Sequence, residues 1–186
     1  EGNVPVYAEL ILGLPGETYE TWTAGFEELL AAGTKNQIFT YQCEVYPNTE
    51  LADPEYMKKF GIVTRRISLT EIHGAVRQEG LVPEYQDIVI TTNSMSVEEW
   101  RKMCLLAWVT MVFHSLKLGF FLVSYLTHRF GIRYTDLITT ISEGRMPEGT
   151  GAILAEEIKR FHRQVDRLLE GHGRGHEMPE FGGIYW

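Results

Sequence analysis

Cysteine is scarce: Cys43 and Cys104 are the two thiols in 186 residues. Two thiols so far apart exclude a disulfide scaffold, and by themselves they cannot supply a four-cysteine zinc or iron–sulfur site. A reducing cytoplasm is the expected compartment. Basic charge is also in deficit, with 17 Lys and Arg against 25 Asp and Glu and a net charge of −8. That balance argues against a nucleic-acid backbone or an anionic membrane as the main partner. No G-x-x-x-x-G-K-[ST] phosphate loop occurs, so a complete small nucleotide-binding domain ranks last among the readings. No secretory signal is recognisable. What is present is ordinary for a globular chain: 44% hydrophobic and 23% charged residues, which leave little room for disorder. The length suits one domain, or one and a small second.

Val4 to Leu12, VPVYAELIL, is almost continuously apolar, the pattern of a strand buried on both faces. Gly13 to Glu17, GLPGE, punctuates it. Thr18 then caps a helix whose apolar positions Trp22, Phe26, Leu29 and Leu30 share one face, and Gly33 ends it. Gln37 to Tyr46 reads as the next strand, stopped by Pro47 and Asn48. The sum is a β-turn-α-β unit of the kind that builds parallel sheets and β/α barrels. Two strands and one helix leave both sheet edges open, a state that proteins avoid. Either the rest of the sheet lies in a missing N-terminal part, or another chain supplies it by association through the exposed edges. The chain runs from Glu1 almost directly into a strand, which fits a truncated piece.

The decapeptide Glu9 to Thr18, ELILGLPGET, resembles a late barrel strand of radical S-adenosylmethionine (SAM) enzymes. Ile11, Gly13 and Glu17 match the family's G-x-I-x-G-x-x-x-E pattern, with Glu9 standing in place of its first Gly. An acidic residue ahead of G-L-P-G-E-T is similar to the version in cobalamin-binding radical SAM proteins, methylthiotransferases and oxygen-independent coproporphyrinogen oxidases. Val45 to Leu51, VYPNTEL, is similar to the P-G-T-x-L segment that ends the next strand there, with Asn48 replacing Gly. The two segments cover about a quarter of the chain. The resemblance implies an α/β fold: the last β/α units of an incomplete (β/α) barrel, with the site at the C-terminal strand ends. It implies that Ile11, Gly13 and Glu17 lie near SAM, that Glu9 is in the lumen, and that Tyr46 lines the cavity from the next strand end. It also implies a 4Fe-4S cluster held by C-x-x-x-C-x-x-C, on which SAM is cleaved to a 5′-deoxyadenosyl radical. That motif is not in this sequence, so the piece is expected to be inactive alone and to hold no metal.

The residues themselves leave alternatives open. GLPGE also reads as a plain tight βα connection, and Glu17 as a complement to the helix dipole. Glu9, inside an apolar strand, needs either a pairing partner or a role in the lumen.

From Asp53 to Val82 the β rhythm fades. Tyr56 to Gly61 reads as a helical turn ended by Gly, Leu69 to Val76 as another short helical stretch, and Ile88 to Thr92 as a short strand. Lys58, Lys59, Arg65 and Arg66 read as a solvated face. Ser96 with Glu98 and Glu99 starts a helix. Met103 to Leu126 is then almost wholly apolar and approaches the length of a membrane span. His114, Ser115 and Lys117 at its centre favour two buried helices, 96–117 and 120–130, joined near Gly119. Helices at Tyr134–Ser142 and Ala152–Leu169 follow, then a flexible Gly- and His-rich tail in which His172, His176 and Glu177 make a doubtful metal face. No catalytic role is read for His73, His114, His128 or His162.

The expected organisation is therefore 1–55 as the end of the barrel, 56–95 as a connecting segment, 96–170 as a mainly helical C-terminal region and 171–186 as the tail. A helical rather than all-β ending resembles the cobalamin-binding members, whose cobalamin domain would lie further N-terminal. The substrate is expected to be a small molecule or biosynthetic intermediate. The rival of another class is a non-catalytic helical interaction module whose β-α-β piece completes a partner sheet.

Overall fold

The computed structural model describes residues 6–69, 71, 72, 75, 76, 80, 82–146 and 151–174. The expectations for the strand start at Val4, for His73, and for His176 and Glu177 lie outside the described residues.

Strand β1 (Ala8–Leu12) pairs in parallel with β2 (Ile38–Gln42) across helix α1 (Tyr19–Ala31), so the β-α-β unit is present. Thr18 and Thr21 close the start of α1 reciprocally: the Thr21 N–H donates to Thr18 Oγ1 at 3.2 Å, and the Thr18 N–H donates to Thr21 Oγ1 at 2.9 Å. Trp22 and Phe26 bury its inner face edge-to-face at 5.2 Å. One expectation is corrected. β1 is not buried on both faces: Ala8, Leu10 and Leu12 pack into the core, whereas Glu9 and Ile11 are exposed beside Phe39 and Tyr41. Helices cover the first face, and the second stays open among the described residues.

Past β2 the chain turns into a second ladder. Val45 N–H donates to Asp87 O and Val89 N–H to Cys43 O, both at 2.8 Å. This ties the end of β2 to an antiparallel pair, β3 (Val63–Ser68) with β6 (Tyr85–Thr91). The strand β3 corrects the reading that 53–82 lacks β structure. Its rhythm is masked by Arg65 and Arg66, and Arg66 is an exposed cross-strand partner of Asp87 at 2.9 Å. A second correction concerns 69–76, expected as helix: the backbone forms two short antiparallel strands, β4 (Glu71–Ile72) and β5 (Ala75–Val76). Helix α2 (Pro54–Phe60) lies where the helical turn is expected, capped by Asp53 and ended by Gly61 in the left-handed region.

The apolar stretch folds as two helices at a sharp joint. Helix α3 (Val97–Thr110), capped by Ser96 and Glu99, runs into a π-helical turn (Met111–Ser115) before α4 (Phe120–Phe130). The two halves bend by 92°, and no single described helix is long and apolar enough to cross a membrane. Gly119 makes the joint, because a Cβ there would meet the Phe113 ring at 2.0 Å. Helices α5 (Tyr134–Ser142) and α6 (Ala152–Leu169) complete the layer that packs on β1, β2 and β6 around Trp100, Met103 and Leu106.

The polar residues inside the apolar stretch fasten this layer to the sheet. In a parallel ladder, alternate residues aim their N–H and C=O at opposite edges. Ala8 N bonds to Gln37 O and Cys43 N to Leu12 O, which leaves the groups of Ile38, Thr40 and Gln42 on the outer edge of β2. Ser115 Oγ accepts from Ile38 N–H at 3.1 Å and donates to Ile38 O at 3.2 Å. Beside it, buried His114 lies 2.9 Å from Asn36 O through Nε2 and 3.2 Å from Tyr134 OH through Nδ1. A carbonyl only accepts, so Nε2 carries the proton and Nδ1 accepts from the phenol. Burial, reinforced by Lys117, holds the His114 pKa below the usual histidine value. The unfolded chain therefore binds a proton here that the native one refuses, and stability falls as pH drops below about 6.5. Denaturant titrations at pH 7.5 and 5.5 are expected to show a smaller acid loss for His114→Gln than for the parent.

Candidate functional site

The C-terminal ends of β1 and β2 lie side by side, since Leu12 is in register with Gln42. Gly13 follows immediately. It is buried at φ +104°, with the site of a Cβ 3.4 Å from Val89 O and 3.5 Å from Cys43 Cβ. The loop is fixed from across the molecule by the Gly16 N–H, which donates to Ser94 Oγ at 3.1 Å, and it closes with Glu17 N–H to Leu14 O at 3.2 Å. Strand, turn and helix start are thus held in one backbone path, with Gly at the position where a side chain would be strained.

The expected site residues separate into two groups. Glu9 and Ile11 share the open face of β1, opposite Phe39 and Tyr41, so Glu9 is not the buried carboxylate that its apolar neighbours imply. Glu17 accepts from the Thr21 hydroxyl within the first turn of α1, so its carboxylate is taken up locally. Tyr46 lies beyond the end of β2, exposed, with its hydroxyl donating to Glu44; that bond raises the Tyr46 pKa.

Glu44 is the residue that sequence reasoning passed over. Its side chain is 14% exposed and meets Arg174 at 3.0 Å, Gln86 Nε2 at 3.2 Å and the Tyr46 hydroxyl. Arg174 also donates to Gln42 Oε1 at 3.2 and 3.3 Å. The first residues of the expected flexible tail are therefore anchored to the end of β2. The available signal was a carboxylate inside the strand QCEVY, the same kind of anomaly as Glu9. Through Arg174, Glu44 tethers the end of β2 to the chain beyond α6.

Beside these strand ends lies a groove of about 410 Å³, walled by the outer edge of β2, by Ala107 and Trp108 of α3, by Met111 of the π-helical turn, and by Phe161 and Leu168 of α6. Its lining is mainly apolar, and the Trp108 and Phe161 rings stack at 5.0 Å. Arg174 stands at its mouth.

Burial pushes the Cys43 thiol up and the Cys104 thiol to about 12, which keeps both protonated in the chain as it stands. Among the described residues no group of three His, Cys, Asp or Glu could hold a metal ion.

No family model matches the chain. It is 30% identical over 169 residues to 2-(S-pantetheinyl)-carbapenam-3-carboxylate methyltransferase of Streptantibioticus cattleyicolor. It is 28% identical over 169 residues to the cobalamin-dependent radical SAM methyltransferase TokK of Streptomyces tokunonensis. Each match takes in 88% of this chain and 24% of the relative, so the chain spans about a quarter of the length of the curated relatives it matches. Most of the chain thus lies within the stretch similar to these two methyltransferases. That similarity supports reading the chain as a piece of a cobalamin-binding radical SAM protein.

Proposed function

We propose that the whole protein to which this chain belongs is a cobalamin-dependent radical SAM methyltransferase, and that 1–55 supplies the last two β/α units of its barrel. The observation that carries this reading is the loop at the C-terminal end of β1, where Gly13 sits buried at positive φ one residue beyond the paired strands. Similarity along 88% of the chain to two methyltransferases supports the same reading. In a complete barrel the open face of Glu9, Ile11, Phe39 and Tyr41 becomes the lumen, and β2 is the last strand because Ser115 occupies its outer edge.

Ile11 and the Gly13 backbone then hold SAM, while Tyr46 borders the same cavity. When bound, SAM with its 4Fe-4S cluster would supply radical hydrogen abstraction, and cobalamin would carry the methyl group. What this chain's residues do is shape the cavity: Gly13 lets the loop pass close to Val89 and Cys43, Ser94 fixes the loop, and Glu44 with Arg174 holds the strand end against the helical layer. This portion alone is inactive. The substrate class taken from the first relative's name is a small molecule bearing a pantetheinyl arm. The compartment remains the cytoplasm.

Reading the coding frame upstream of Glu1 tests the proposal. A C-x-x-x-C-x-x-C about one to two hundred residues earlier, within the span of a ~250-residue barrel, supports it. A start codon directly before Glu1 contradicts it and favours the second reading, an interaction module. That reading has one observation of its own, the exposure of Leu118 (77%) and Phe121 (78%) at α4.

A further inference from the structure

We propose that the groove along the outer edge of β2 is filled by the chain's own residues 176–186, docking in cis. The wall itself leads into this occupant. Gly173 and Arg174, where the described residues end, are part of the groove's lining. Arg174 is fastened at that spot by Glu44 at 3.0 Å and by two bonds to Gln42 Oε1 at 3.2 and 3.3 Å. The chain beyond it therefore starts at the mouth, where so short a tether gives a local concentration on the order of millimolar. Phe181 follows Arg174 by seven residues, which span up to roughly 23 Å. The strand wall from Ile38 to Gln42 is roughly 13 Å long, so the segment can reach all of it.

Composition selects the same segment. Residues 176–186, HEMPEFGGIYW, carry Met178, Phe181, Ile184, Tyr185 and Trp186, five large apolar side chains in eleven residues and more than a solvated tail holds. The acids Glu177 and Glu180 fall on the side nearest the mouth, and among the described residues Arg174 is the one charged side chain on the lining. The aromatic part beyond them suits the apolar wall of Trp108, Met111 and Phe161, where each ring can bury about 150–250 Å². Docking also covers a strand edge. By the alternation of the ladder, the main-chain N–H and C=O groups of Thr40 and Gln42 aim outward from β1 into the groove. An uncovered edge of this kind is a template for a foreign strand. The inference uses none of the methyltransferase chemistry and stands or falls apart from it.

The test is limited chymotrypsin digestion of the full-length protein, with cleavage after Phe181 followed by mass spectrometry. The synthetic peptide GHEMPEFGGIYW, residues 175–186, sets the rate for an undocked segment. Ala107→Trp fills the groove from α3. Met111→Lys puts a charge on its wall at an exposed position, where a substitution costs little stability. Thermal melts establish that each variant is folded. The parent is expected to be cut about tenfold or more slowly than the peptide, and each variant about tenfold or more faster than the parent, because cutting tracks the population of the open form. Cleavage of the parent at the peptide's rate overturns the assignment, as does resistance that both folded variants retain. Resistance lost on dilution also overturns it, since the groove would then hold the segment of a second copy.

Discussion

Gly13→Val is expected to lower the affinity of the full-length protein for SAM by about tenfold or more while costing about 1–3 kcal/mol of stability. At φ +104° a β-branched residue is strained wherever space allows it. Space is also short, because the new Cβ sits 3.4 Å from Val89 O and the two γ-methyls have to go beyond it. The loop has little freedom to yield, with Gly16 held by Ser94 and Glu17 closing the turn onto Leu14. The strain therefore displaces the Gly13 backbone itself, the group assigned to SAM. Equilibrium dialysis against SAM, run beside a thermal melt, separates the two effects. A folded Gly13→Val protein with parental SAM affinity would remove Gly13 from the site.

Ser115→Ala is expected to destabilise the protein by about 2–4 kcal/mol, with little change in the slope of its denaturant titration. The hydroxyl serves both the N–H and the C=O of Ile38, and Ile38 is 2% exposed. Removing it leaves a buried donor and a buried acceptor unpaired, at about 1–3 kcal/mol each before relaxation. Ser115→Thr, which retains the hydroxyl, is expected to recover part of the loss. A cost below about 0.5 kcal/mol for Ser115→Ala would mean that water replaces the hydroxyl and that the helical layer is not fastened to β2 at this point.

What could be read from the residues follows local physics. Thr18, Ser96 and Gly61 mark helix ends through hydrogen bonds within a few residues, and those ends lie where their chemistry puts them. The joint at Gly119 was legible from His114, Ser115 and Lys117 as a polar interruption. Their actual partners, Asn36, Ile38 and Lys35, are some eighty residues away and leave no local trace. β3 was missed because an exposed two-stranded ladder needs no apolar alternation: Arg66 meets Asp87 across it.

The site shows the same division. Gly13 and its loop carry a motif, so they could be found. Glu44 and Arg174 meet across 130 residues, and neither has a pattern around it. Glu9 misled for an instructive reason. An apolar strand argues that a carboxylate inside it is buried, but Glu9 lies on the face of β1 that the described residues leave open.

The most direct measurement is the fate of SAM in the full-length protein, reconstituted with iron and sulfide under reducing conditions and supplied with cobalamin. The account predicts 5′-deoxyadenosine in the product mixture, dependent on reductant and strongly diminished by Gly13→Val. A protein with its cluster fully loaded that leaves SAM intact would contradict it.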